Sequence, residues 1–196
     1  MSKKVNVLCL HGCNQTAKMF EELLRNYIKL GEKQYDLKFH FTEAKYDHPD
    51  GDKTWYNKPL NVAEIGSIPY DDALVTDTLD DIAKIITEKD IHVLLGFSQG
   101  ANVVDTFLAH RDHSAIKCAV IMSGYSLVDA NRKEIDIPAL GVISNIDTIV
   151  PSKLNPTGYK ENYVIEHDKG HKLPTQNPVI RQICVFMQKA EFKKLI

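Results

Sequence analysis

The amino-acid sequence predicts an α/β fold, with a mostly parallel central sheet and helices on both faces. Three observations predict it. Short apolar runs rich in β-formers alternate with segments of helical period from one end of the chain to the other. Several of those runs are apolar throughout, as strands covered on both faces are. Polar and small residues follow the runs directly, where sites gather in open α/β sheets. With 196 residues, 43% hydrophobic and 26% charged, the chain has the size and composition of one soluble domain. It shows no internal repeat and no low-complexity tract.

The first strand is expected at Val5-Asn6-Val7-Leu8-Cys9-Leu10 and is broken by the turn residues His11-Gly12-Cys13-Asn14. A helix follows from about Ala17 to Leu30, with Phe20, Leu23, Leu24, Tyr27 and Ile28 on one face and Gly31 as its C-terminal cap. Leu37 to Phe41 alternates as a second strand. The stretch Thr42 to Tyr70 then loses all period, punctuated by Pro49, Gly51, Pro59, Gly66 and Pro69. Its aromatic residues argue against disorder, so residues 42–70 are expected to form a lid or pocket wall within the single domain 1–196. Asp71 to Lys89 carries a helical stripe. A strand at His92–Gly96, a helix from Gln99 to about His110, and strands near 116–124, 137–144 and 163–166 follow. Pro174 to Lys189 closes the pattern with a helix.

Charge and composition exclude several functions. A net charge of -2 gives no general attraction to nucleic acid or anionic membrane. No apolar run approaches the roughly 20 residues needed to span a bilayer. The first residues lack the apolar core and cleavage site of a signal peptide, so a cytoplasmic protein is expected. Of the four cysteines, Cys9, Cys118 and Cys184 sit in apolar runs and Cys13 in a polar turn; no Cys-x-x-Cys pair suggests a metal or redox site.

The motif richest in chemistry is Gly96-Phe97-Ser98-Gln99-Gly100. The bare five-residue pattern is weak, but here a strand precedes it and a helix follows. A serine presented at a strained turn needs that context, and small residues at its flanks let strand and helix approach closely. A serine hydroxyl is a poor nucleophile until an imidazole takes its proton, and the imidazole needs a carboxylate to fix its tautomer. Asp147 and His171 follow later strands in the order Ser, Asp, His expected of an α/β-hydrolase. Asp129 and Asp136 compete for the acid role but precede the relevant strand. His167 competes for the base role; Gly170 gives His171 the more flexible approach. The oxyanion donors are expected to be the backbone amides of Gln99 and, in the first turn, Cys13, with Asn14 second. Cys13 lacks the strand-turn-helix setting of a nucleophile.

These residues resemble the FSH-type serine hydrolases, a family with the α/β-hydrolase fold that includes the ovarian-cancer-associated relatives. The resemblance is carried by Leu8-Cys9-Leu10-His11-Gly12, Trp55-Tyr56, Gly96-Phe97-Ser98-Gln99-Gly100-Ala101, Ser123-Gly124, Asp147 with Val150-Pro151, and Gly170-His171 with Pro174. Ser144, Lys169 and Ala44-Lys45 differ from residues common at the matching positions. The resemblance implies a serine hydrolase that cleaves carboxylic esters through an acyl-enzyme. A thioesterase on the same fold and a catalytically silent binding protein are the alternatives. Catalysis of this kind needs no metal and no organic cofactor. The expected partner is a small-molecule acyl ester or thioester, and Trp55 or Tyr56 is expected to touch it. Acyl chain length and oligomeric state stay open.

Overall fold

The computed structural model describes residues 4–56 and 62–190. Residues 57–61 of the expected lid segment lie outside that description. In chain order the elements are β1 (Val5–Leu10), α1 (Ala17–Leu23), α2 (Arg25–Gln34), β2 (Leu37–Phe41), β3 (Tyr46–Asp47), β4 (Lys53–Thr54), α3 (Asp72–Glu88), β5 (Val93–Phe97), α4 (Gln99–His110), β6 (Cys118–Met122), β7 (Ile135–Ser144), β8 (Tyr159–His167) and α5 (Asn177–Lys189). Short 3-10 turns occur at Val62–Glu64 and Ser152–Leu154.

Six strands form one sheet in the order β2-β1-β5-β6-β7-β8, and every neighbouring pair is parallel. The chain first steps from β1 out to β2, then returns to place β5 on the other side of β1. Strand order therefore reverses between β1 and β5. In open parallel sheets, the crevice at the carboxyl ends of such a pair is where ligands bind. Here it lies between the turn after Leu10 and the turn after Phe97.

The period-2 geometry of strands divides the core in two. Leu8, Leu10, Leu94, Ala119, Ile121 and Ala139 face one side, where α3 and α4 cover them. Val7, Cys9, Val93, Leu95, Phe97, Val120, Met122, Leu140 and Val142 face the other, beneath α1, α2 and α5. Burial on both faces accounts for the continuous apolar runs in the sequence. Helix α4 is itself enclosed, with every residue from Gln99 to Leu108 buried. Its polar members are satisfied internally, as burial demands: Asp105 meets Arg132 and Tyr159, Asn102 donates to the Tyr125 carbonyl, and Thr106 bonds back to Asn102.

Three local expectations are corrected. The helix expected over 17–30 is two helices, broken at Leu24, whose ψ of 5° departs from helical geometry. Gly31 does not cap it: α2 continues to Gln34. A Cβ on Gly31 would lie 2.8 Å from Phe39 Cε2, so the glycine serves the close approach of α2 to β2. The last strand runs from Tyr159 to His167, well beyond the expected 163–166. Within the segment 42–70, β3 and β4 form a small antiparallel hairpin.

Candidate active site

Ser98 stands between β5 and α4 with φ 53° and ψ -117°. An L-residue adopts this conformation at a penalty, and the surrounding structure must impose it. It does so through close packing on both sides. A Cβ on Gly96 would lie 2.4 Å from the Gly100 carbonyl oxygen, and one on Gly100 would lie 2.2 Å from the Leu10 carbonyl oxygen. Both approaches are to backbone, which cannot swing aside. The amide of Ser98 donates to the Met122 carbonyl, and its own carbonyl accepts from Asn102. The serine is fixed by main chain while its side chain stays partly exposed.

His171, on the loop after β8, lies between Ser98 and Asp147. Its Nδ1 is 2.8 Å from Asp147 Oδ2, and its Nε2 is 3.0 Å from Ser98 Oγ. A carboxylate only accepts, so Nδ1 carries the proton and Nε2 is left to accept from the serine hydroxyl. Phe97 lies against the imidazole, with ring centroids 5.1 Å apart. Asp147 is buried, and burial opposes its ionisation. Amide donors from Val150 and Ile149 at 2.9 Å, together with His171, outweigh that and hold its carboxyl below the usual carboxylate value. The arrangement can deprotonate a serine hydroxyl and hold the imidazolium that results.

The rival residues have other partners. His167 Nδ1 accepts the amide of Lys169 at 3.2 Å. Asp129 faces His110 at 3.4 Å, and Asp136 faces Lys160 at 3.5 Å.

The turn after β1 has two of its amides engaged. Gly12 donates to Gln15 Oε1 at 2.8 Å and Asn14 donates to the Lys53 carbonyl at 2.9 Å. Between them, the Cys13 amide meets no acceptor among the described residues, nor does the Gln99 amide at the start of α4. Two uncommitted amides at the paired strand ends are suited to a developing oxyanion. Asn14, the second-choice donor from sequence, is committed elsewhere. The Cys13 side chain is exposed, and its thiol is raised above the usual value, chiefly by partial desolvation. His11 is fully buried in this turn. Its Nδ1 lies 2.7 Å from the Gly12 carbonyl, and its Nε2 accepts the Ala44 amide at 3.1 Å. The Gly12 and Ala44 contacts fit the neutral imidazole protonated at Nδ1, and burial favours that form, against the pull of the Glu43 carboxylate 3.2 Å from Nε2.

Trp55 and Tyr56, expected to touch substrate, are buried at 3% and 1% exposure. Their polar atoms are engaged within the protein. The Trp55 indole donates to the His11 carbonyl at 2.7 Å, and the Tyr56 hydroxyl donates to Asn102 on α4. Sequence reasoning missed two side chains that these contacts bring into view. Gln99 Oε1 accepts from Thr54 Oγ1 at 3.1 Å and from the Trp55 amide at 3.0 Å. Ser144 Oγ accepts the Gly170 amide at 3.1 Å. The unusual Ser144 was a signal for the second; nothing local in the sequence signals the first.

Comparison with known proteins adds the family. The chain is 24% identical to the esterase C25G4.2 of Caenorhabditis elegans, over 98% of this chain and 96% of the esterase. It is 29% identical to an esterase of Aedes aegypti, over 88% of this chain and 71% of that protein. Among solved structures it resembles Arabidopsis thaliana SOBER1, with a TM-score of 0.70 at 16% identity over 95% of this chain and 99% of that one. A carboxylesterase from Mesorhizobium loti gives a TM-score of 0.71 at 13% identity, over 96% and 90% of the two chains. These structural likenesses show the α/β-hydrolase fold, and no helix among the described residues is long and apolar enough to cross a membrane. The family model described as "Serine hydrolase (FSH1)" matches residues 1–183, and the chain belongs to that serine hydrolase family.

Proposed function

We propose that this serine hydrolase cleaves carboxylic esters of small molecules through an acyl-enzyme, with Ser98, His171 and Asp147 as its catalytic residues. The observation that carries the reading is the unbroken relay from Asp147 Oδ2 through His171 to Ser98 Oγ, with links of 2.8 and 3.0 Å. The names of the esterase relatives favour oxygen esters over thioesters as substrates.

In this reading, Ser98 Oγ attacks the acyl carbonyl carbon as its proton passes to His171 Nε2. The carbonyl oxygen becomes an oxyanion that accepts from the Cys13 and Gln99 amides. Collapse breaks the bond to the leaving oxygen, which takes the proton from His171. Water then gives a proton to His171 and attacks the acyl carbon, and Ser98 departs with that proton restored. Asp147 keeps Nδ1 protonated throughout and stabilises the cationic imidazole. No step calls on a metal or cofactor.

A fluorophosphonate probe tests the reading. The native protein is expected to label and Ser98→Ala to lose both labelling and turnover of a short-chain aryl ester. Labelling that survives in Ser98→Ala would overturn the assignment. Matched oxygen esters, thioesters and amides would then rank the acyl substrates, with the oxygen ester expected first.

A further inference from the structure

We propose that the strap from Asp52 to Trp55 is the positioning device of the oxyanion hole, with the Gln99 side chain and the Trp55 indole as its two anchors. The proposal rests on the assignment of the Cys13 and Gln99 amides as oxyanion donors.

Those two amides belong to different turns, one after β1 and one after β5. Strand pairing aligns the strands themselves: Leu10 pairs with Gly96 as the last register position. Beyond that position the ladder no longer holds the turns together, yet two donors must converge on one oxygen within hydrogen-bond tolerance. A bridge between the turns is needed, and the strap supplies it. On the β1 side, the Lys53 amide donates to the Gln15 carbonyl at 3.2 Å, and its carbonyl accepts from Asn14 at 2.9 Å. The Asp52 amide donates to Asn14 Oδ1 at 2.9 Å, and the Trp55 indole donates to the His11 carbonyl at 2.7 Å. On the β5 side, Thr54 Oγ1 and the Trp55 amide both donate to Gln99 Oε1, at 3.1 and 3.0 Å.

One short segment therefore holds the residues on both sides of Cys13 and grips the side chain of Gln99, the residue that provides the second donor. Thr54, Trp55, Gln99 and His11 are all buried, at 2%, 3%, 3% and 0% exposure, so these bonds are shielded from solvent. Gln99 thus has a divided role: its main chain faces the reaction and its side chain locks that main chain in place. The same bonds explain why an aromatic residue stands at position 55 without lying open to substrate. Its ring fills the core beside His11, with centroids 4.9 Å apart, and its N–H reaches the turn.

The test uses Trp55→Phe, which keeps the ring and removes the donor, Gln99→Met, which keeps length and removes the acceptor, and the pair Thr54→Val and Thr54→Ser. For each we would measure kcat and KM on an aryl ester, inhibition by an alkyl boronic acid that forms a tetrahedral adduct with the serine, and thermal stability. A misplaced oxyanion donor harms the tetrahedral state and leaves ground-state binding alone. The expected result for Trp55→Phe, Gln99→Met and Thr54→Val is a fall in kcat of about tenfold or more with KM nearly unchanged. The boronic acid should weaken by the same factor, and Thr54→Ser should restore both values. Variants that lose thermal stability but keep kcat and boronic acid affinity would overturn the proposal, as would a Thr54→Ser protein no better than Thr54→Val. Failure of the proposed hydrolase function itself has a different signature: a native protein with no turnover and no boronic acid binding.

Discussion

The Gly170 amide donates to Ser144 Oγ at 3.1 Å, tying the loop that carries His171 to the end of the strand that leads to Asp147. Ser144 is 1% exposed, so the bond is shielded from competing water. Gly170 takes φ 61°, a conformation that glycine adopts without strain, and the next residue is His171 itself. Ser144→Ala removes the acceptor and leaves a donor poorly satisfied. The expected loss is about 1–2 kcal/mol of stability, together with a several-fold fall in kcat and little change in KM. Denaturant unfolding and steady-state kinetics on one aryl ester would measure both, and an unchanged kcat would show that His171 holds its place without Ser144.

Asp147→Asn separates orientation from packing. Asp147 Oδ1 accepts the Ile149 and Val150 amides while Oδ2 meets His171. An asparagine can keep its oxygen on the two amides, which turns its NH2 toward the imidazole. His171 would then have to accept at Nδ1 and protonate at Nε2, the wrong tautomer for a base. The fold should survive, and kcat should fall by about 10³- to 10⁴-fold with KM within a few-fold of the native value. A loss smaller than tenfold would remove Asp147 from the catalytic set.

Much of the fold was legible because burial on both sheet faces writes itself as apolar runs, and Val93 to Phe97 and Cys118 to Met122 are such runs. Ser98 was legible because its conformation needs glycines at 96 and 100, whose absent side chains leave a sequence signature. Trp55 and Tyr56 were harder. An aromatic residue in a segment without period can plug a core or face a ligand, and only tertiary contacts separate the two. Gly31 misled for a related reason: a glycine near a helix end serves as a cap or as a point of close approach, and Phe39 decides which. The grip on Gln99 was invisible, because its partners lie more than 40 residues away and any polar residue at 54 would read the same.

Arg132 and Asp105 form a second long-range tie. Arg132 Nη1 and Nη2 donate to the two Asp105 oxygens at 2.8 and 2.7 Å, and the Tyr159 hydroxyl donates to the same carboxylate at 2.8 Å. Asp105 is wholly buried in α4, the helix that begins at the Ser98 turn. Arg132→Met leaves that charge without its cationic partner, and breaking a buried pair in this way costs about 3–5 kcal/mol. Following it with Asp105→Asn should recover part of the loss, because the stranded charge is then gone. Urea unfolding of the single and double variants reads the outcome, and a double variant less stable than Arg132→Met alone would refute the account.

Burial holds the His11 imidazole below its ordinary value of 6.5, against the opposing pull of the Gly12 carbonyl, Glu43 and Asp52. Between the folded value and the ordinary one, the unfolded chain binds the proton and the folded chain does not. Stability from this group is therefore complete above the ordinary value, declines as pH falls below it, and levels off once pH passes the folded value. The mechanism is local: protonation at Nε2 removes the acceptor used by the Ala44 amide at 3.1 Å. His40, His110 and His167 are also lowered, chiefly by burial, so the native protein as a whole should weaken in mild acid. Those three titrate alike in His11→Asn, which isolates the one group. That variant should be less stable than the native protein at pH ~7.5, and the gap should narrow by pH ~5.5, because only the native protein has an imidazole at position 11 to protonate. Denaturant midpoints at the two pH values suffice to check it. A gap that stays constant would mean that His11 stabilises the turn by shape alone and that its proton plays no part.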